Sequence, residues 1–235
     1  LLKVAVGELE KGAPATAAQR EVHAELEETI ADLLADLGLH EDAVRLWSAL
    51  AAERDTRAPA ARLAEVLVNR GVAVNLIGGA DKAKGDFERA LAILDDIGDK
   101  TSVQRGWALY NLGHHHGSGP GAEKGQAEEL LRSAISVLEP HGPTRQLANA
   151  HYGLGRLLES RPDAEGAKRA FLAGIEVAEA APETARTVIA GGYQQLSRAQ
   201  AATQDFAGAE ESIRRAMAVF EEFAGKEHRL TLEAG

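Results

Sequence analysis

One small-residue position recurs along the chain: Ala43, Ala83, Ala127, Ala167 and Ala209 stand 40, 44, 40 and 42 residues apart. Each alanine has a similar neighbourhood. An apolar–glycine pair and a loop precede it, a large apolar residue follows four positions on, and a small residue three further. Leu154-Gly155 with Ala167, Phe171 and Gly174 is the clearest copy. Gly71 with Gly78-Gly79, Ala83, Phe87 and Ala90 is an earlier one, and Gly38 with Ala43, Trp47 and Leu50 is another. Leu112-Gly113 with Ala127, Leu131 and Ala134, and Leu196-Ser197 with Phe206, Ala209, Ile213 and Ala216, complete the set. A period of this length marks stacked supersecondary units. Each unit is expected to be two antiparallel helices, A and B, held close by small residues. A single hairpin cannot bury its apolar face, so neighbours must stack into a shared core. Trp47, Phe87, Leu131, Phe171 and Ile213 are expected to fill the gap between one repeat and the next. The expected fold is all-α, an α-α superhelical solenoid of about five antiparallel helix pairs.

Composition agrees with helices and narrows the partners. Hydrophobic residues make up 45% of the chain but aromatics only 4%, and a core of Ala and Leu suits packed helices better than a sheet. The net charge of −10 argues against nucleic acid, which needs a basic footprint, and against an anionic membrane surface. No apolar stretch approaches the ~20 residues needed to cross a bilayer. With no cysteine, the chain has no disulfide, cysteine-ligated zinc or thiol nucleophile. It begins Leu1-Leu2-Lys3 without Met or a signal peptide, so it reads as a piece of a longer protein.

The quoted residues resemble the W-x-x-L-G-x-x-Y…A-x-x-x-F pattern of the tetratricopeptide repeat (TPR) family over roughly residues 20–223. The helix-A aromatics are often aliphatic here, and the step exceeds the family's usual ~34 residues. Longer helices account for this, as in the kinesin-light-chain-like branch. Glu227-His228-Arg229-Leu230-Thr231-Leu232 is similar to that branch's H-P-D-T-L linker, with Arg229 in place of Pro. The opening Leu1-Leu2-Lys3-Val4-Ala5-Val6 through Leu37-Gly38 resembles repeat regions attached to bacterial serine/threonine kinases. That resemblance implies a sensor or docking part of a signalling protein. It implies a cytoplasmic location, or a periplasmic or extracytoplasmic one if the parent is a membrane-anchored kinase.

Helix signals divide the chain. Residues 1–15 are expected to close a preceding element, and five repeats to run about 16–56, 57–98, 99–141, 142–181 and 182–226. A truncated further repeat is expected over 227–235. Thr16-Ala17-Ala18-Gln19 and Thr101-Ser102-Val103-Gln104 read as capping boxes, and Asp81, Asp163 and Asp205 as N-caps of B helices. Gly38, Pro59, Gly78-Gly79, Gly98, Gly142-Pro143, Pro162 and Pro182 fall between helices. Gly117-Ser118-Gly119-Pro120-Gly121 accounts for most of the 44-residue step.

In this architecture the A helices line a groove. The face beside core positions Leu109 and Leu112 carries Trp107, Tyr110 and His114, with Asn111 next to them. The same reasoning gives Asn149, Tyr152 and Arg156 in repeat four and Gln194, Gln195 and Arg198 in repeat five. It gives Asn69 in repeat two, and Glu25, Glu28, Asp32 and Asp36 in repeat one. Amides can hydrogen-bond an extended peptide backbone, Arg grips a carboxylate with two bonds, and aromatics give rigid contact area. Repeats three to five are thus expected to clamp a peptide with an acidic residue or free C-terminus at Arg156 and Arg198. Tyr152 has a bland alternative, packing between helices.

Other signals carry little chemistry. Consecutive His114-His115-His116 point in different directions on a helix, whereas metal pairs come at i, i+3 or i, i+4; a helix terminus favouring cations explains the run better. The glycine-rich loop lacks the Lys-Ser/Thr and strand of a phosphate cradle. Glu pairs such as Glu27-Glu28, Glu128-Glu129 and Glu221-Glu222 read as solvated faces. No nucleophile, metal cage or cofactor loop is visible, so no cofactor and no catalysis are expected. The leading function is a scaffold for a protein or peptide partner. The alternative is a structural element that assembles, as a homodimer for example, through Phe220, Phe223, Leu1, Leu2 and Val4 at its ends. A metal-dependent hydrolase using the His run is a remote third.

Overall fold

The computed structural model describes residues 16–57, 60–118, 122–181, 184 and 186–224. The proposed closing helix over 1–15 and truncated repeat over 227–235 lie outside them. Among the described residues there are ten α-helices and no strand: α1 (Ala17–Asp36), α2 (His40–Arg57), α3 (Ala60–Leu76), α4 (Ala80–Asp96), α5 (Val103–Gly117), α6 (Lys124–Leu138), α7 (Arg145–Glu159), α8 (Ala164–Ala180), α9 (Arg186–Ala202) and α10 (Phe206–Ala224). A short 3₁₀ turn, Glu139–His141, follows α6. The chain forms two compact units, Leu1–Lys100 and Thr101–Gly235. In each, odd-numbered A helices pair with the even-numbered B helices that follow them.

Local chemistry explains the helix ends. Thr16 and Gln19 form a reciprocal capping box on α1, satisfying two donors that a bare helix start would leave free. Asp163 and Asp205 accept from the backbone N–H of Gly166 and Gly208, and Thr144 caps α7. Two expectations shift. The cap of α5 is Ser102, which accepts from Arg105 N, one residue beyond the expected Thr101. Asp81 lies inside the first turn of α4, whose N-cap is Gly79.

One turn recurs where α1 gives way to α2, where α3 gives way to α4 and at the end of α4. The N–H beyond the turn reaches back five residues, from Leu39 to Leu34, Gly79 to Val74 and Asp99 to Leu94. This Schellman closure needs a left-handed residue, supplied by Gly38, Gly78 and Gly98. After α9 the same closure, Asp205 N to Gln200 O, holds Gln204 at φ 63°.

The repeat signature is a contact between helices. A Cβ added to Gly71 would lie 2.7 Å from the Phe87 ring, one on Gly113 2.8 Å from Leu131, and one on Gly155 2.4 Å from Phe171. Glycine in helix A thus admits the large residue of helix B in the same repeat. Phe171 also belongs to one core cluster with Leu131 of the preceding repeat and Ile189, Tyr193 and Leu196 of the following one. Leu131 likewise approaches Gly153 of α7. Ala43, Ala83, Ala127 and Ala167 are fully buried at the helix contacts, whereas Ala209 and Ile213 of α10 are only half-buried. Complete burial of a side chain like Phe171 contributes about 2–3 kcal/mol.

Candidate functional site

The A helices of the second unit, α5, α7 and α9, set the candidate site. In α5, Trp107 and Tyr110 are one turn apart and their rings stack, with centroids 4.7 Å apart and planes 5° from parallel. Tyr110 continues to His114, 6.3 Å on and tilted by 38°. Tyr110 also lies over Gly153 of α7, where an added Cβ would sit 3.0 Å from its ring. The missing side chain therefore lets an α5 aromatic cover the next A helix. Asn111 is turned to its own helix, donating to the Trp107 carbonyl.

The ladder opens into a cavity lined by Gly113, His114, Gly117, Leu131, Gly153 and Arg156, among others. Arg156 is half-buried. It donates to Gln195 Oε1 of α9 at 3.4 Å and has no carboxylate partner among the described residues. Its positive charge and the surrounding protein hold His114 below the ordinary imidazole range, burial being the larger cause. His114 nevertheless presents an open edge to solvent. Neutral imidazole, free guanidinium and stacked aromatics meet here above a floor of Gly and Leu. Such a surface can hold a carboxylate and a flat or aliphatic side chain together.

The remaining residues predicted for the groove are scattered. Gln195 also donates to Gly191 O, and Asn149 and Gln194 are half-buried on α7 and α9. Arg198 is exposed and lies 3.5 Å from Glu159, so it is already paired. Tyr152 does not line the groove. It is buried, wedged against Gly174 of α8 and Gly192 of α9, and its hydroxyl has no hydrogen-bond partner. Burial pushes that phenol well above its usual range. The glycines spaced along α8 and α9 were the signal for this role. Among the described residues no group of three His, Asp or Glu side chains is arranged to hold a metal ion. His116 instead contacts Glu123 at 2.8 Å.

The first unit treats its A helices differently. Glu28 is buried, bonded to Arg54 at 3.0 Å and Arg62 at 3.4 Å, so it is a core ion pair and not a groove residue. Glu25 lies 3.5 Å from Arg62, and Asn69 donates to Asp32 Oδ1 at 3.4 Å. Asp32, beside Glu28, Glu65 and Asp36, is pushed up to about 6, chiefly by burial.

No family model matches the chain, and no curated protein matches it in sequence. Solved structures do. BtubC (BKLC) from P. vanneervenii superposes with a TM-score of 0.77 at 18% identity, over 97% of this chain and 91% of that one. A Rap protein crystallised with Competence and Sporulation Factor gives 0.75 at 12% identity, over 99% of this chain and 66% of that one. The TPR-like repeats of a putative kinesin light chain from Podosopora anserina give 0.63 at 14% identity, over 84% and 94%. The chain has the TPR fold. The Gly–Phe and Gly–Leu contacts described above are thus the internal joints of TPR hairpins, and α5, α7 and α9 are their A helices. Among the described residues no helix is long and apolar enough to cross a membrane.

Proposed function

We propose that this TPR chain is a protein-binding scaffold, and that its second unit holds an extended peptide along α5, α7 and α9. The carrying observation is Arg156: a half-buried guanidinium with no carboxylate of its own among the described residues, beside the Trp107–Tyr110–His114 ladder. A half-buried cation without a counter-charge is a ready receptor for an anion. The ligand is read as a peptide with an acidic residue or free C-terminus at Arg156 and an aromatic or aliphatic residue on the ladder. Arg198 plays the lesser part, because Glu159 already engages it. The Rap structure similar to this chain holds a bound factor, which supports ligand binding as a use of this fold. The opening segment's resemblance to kinase-attached repeats supports a place in a bacterial signalling protein, in the cytoplasm unless the parent is a membrane-anchored kinase.

Fluorescence anisotropy with a panel of peptides bearing a free acidic C-terminus tests this reading. Arg156→Ala should weaken the best binder about tenfold, the loss of one charge-assisted contact. Blocking the peptide carboxyl as an amide should weaken wild type and leave the variant little changed. Equal affinity of wild type and Arg156→Ala would remove the site.

A further inference from the structure

The second unit has another cleft, on the side of its B helices, between α8 and α10 with α9 as its floor. Three stripes face it at one-turn spacing: Leu172, Ile175, Glu176 and Glu179 from α8; Tyr193, Leu196 and Gln200 from α9; Gly208, Glu211, Ser212 and Arg215 from α10. Its volume of about 450 Å³ lies within the range of ligand pockets. The floor is Leu196 between Tyr193 and Gln200, whose Oε1 accepts from Ser212 of α10 at 2.7 Å.

Three observations specify an occupant. First, the walls are unequal. Arg215 is held by Glu211 at 3.1 Å and donates to the Tyr193 hydroxyl at 3.4 Å. Opposite, Glu176 and Glu179 have no cationic partner among the described residues; Glu179 only accepts from Tyr193 at 2.6 Å. Second, Leu172 is 46% exposed directly beside these carboxylates, so apolar surface and negative charge adjoin. Third, Gln200 is only 8% exposed yet its Nε2 has no acceptor among the described residues, leaving a donor at the cleft floor. A lysine or arginine side chain matches the first two features, with an aliphatic stem for Leu172 and Leu196 and a cation for the glutamates. The carbonyl of an extended backbone matches the third.

The register shows that this is no generic property of the fold. One repeat earlier, the positions of Glu176, Glu179, Glu211 and Arg215 are held by Ser136, Glu139, Arg169 and Ala173. Their formal balance is neutral, whereas three acids and one base stand at the later cleft. We propose that the α8–α10 cleft is a second protein-contact surface, one that takes a basic, apolar segment of a partner protein by seating a lysine or arginine between Glu176 and Glu179. It would engage a partner of opposite charge to the ligand read for Arg156.

The test uses the full chain, ¹⁵N-labelled, titrated with a synthetic dodecapeptide of leucine and lysine and with its counterpart having glutamate for lysine. Saturable shifts are expected at Leu172, Glu176, Leu196 and Gln200 with the lysine peptide only. E176Q/E179Q should weaken it about tenfold. A charge-matched control at exposed positions outside the cleft, E129Q/E165Q, should change it less than about twofold. Thermal melts establish that both variants fold. Absence of saturable binding, shifts confined to the Trp107–Arg156 face, or equal losses in the two double variants would each overturn the proposal. Since R156A leaves this cleft intact, loss of one site does not decide the other.

Discussion

The two units use the same helix pairing but spend their charges differently. In the first, ion pairs close charges of the A helices within the fold: Glu28 with Arg54 and Arg62, and Arg70 bidentate on Asp86 across α3 and α4. In the second, the A-helix face keeps a stacked aromatic ladder and an arginine without a carboxylate. A buried ion pair contributes little net stability but is costly to break, and it offers nothing to a ligand. An unpaired half-buried cation costs some stability and can recognise one. The difference between the units is therefore between closing a fold and leaving a site.

That comparison can be broken at several points. The chain carries one tryptophan in each unit, Trp47 and Trp107, so Trp47→Phe and Trp107→Phe backgrounds let fluorescence follow each unit in urea. The largest effect is expected from Arg54→Ala, which leaves the buried Glu28 only its longer contact to Arg62 in the first unit and should cost about 3 kcal/mol. The Trp47 transition should move while the Trp107 transition does not. A common shift of both would show that the units unfold together. Next comes Gly155→Ala in the second unit. The new methyl overlaps the buried Phe171 ring, and this strain should outweigh the gain in helix propensity by about 1–2 kcal/mol. Gly191→Ala, with nothing within 4 Å of the added Cβ, should instead be neutral or stabilising by up to about 1 kcal/mol.

The third concerns recognition. Arg156→Ala should weaken peptide binding about tenfold, roughly 1.4 kcal/mol, whereas Asn69→Ala in the first unit should leave it within about twofold. Comparable losses would dissolve the distinction between the units. The smallest effect sets them apart by sign. Asp32 is raised to about 6 from 3.8 and Glu28 is raised too, so the folded first unit binds more protons than the unfolded chain. Its stability should rise as the pH falls from 7 toward 5. Burial lowers His114 and His151 below 6.5, so the folded second unit binds fewer protons there. Its stability should fall as the pH drops below 6.5. Urea midpoints read from the two tryptophans at pH 7 and 5 should move in opposite directions; parallel movement would refute the assignment of these charges.

Much of the fold was legible because it rests on local chemistry and spacing. Thr16 and Gln19, Asp163 and Asp205 announce helix starts through side chains that reach only three residues. Asp81 misled because Gly79 begins α4 two residues earlier, and Thr101 because Ser102 competes for the same role one residue on. The site was legible only in part. Trp107, Tyr110 and His114 share a face by helical spacing alone, but Tyr152 has the same spacing and is buried. Its position depends on Gly174 and Gly192, two other helices whose missing side chains admit the ring. Glu28 likewise looked like a solvated acid until Arg54, 26 residues away, was brought against it.

The sequence by itself determined that small and large residues recur at a step of 40 to 44 residues, and with it the paired helices, because backbone hydrogen bonding and glycine's lack of a Cβ act over a few residues. Only the tertiary structure decided which polar side chains are neutralised and which stay open. That depends on which helix faces meet, and charge pairing is settled by distances across helices that no single segment encodes.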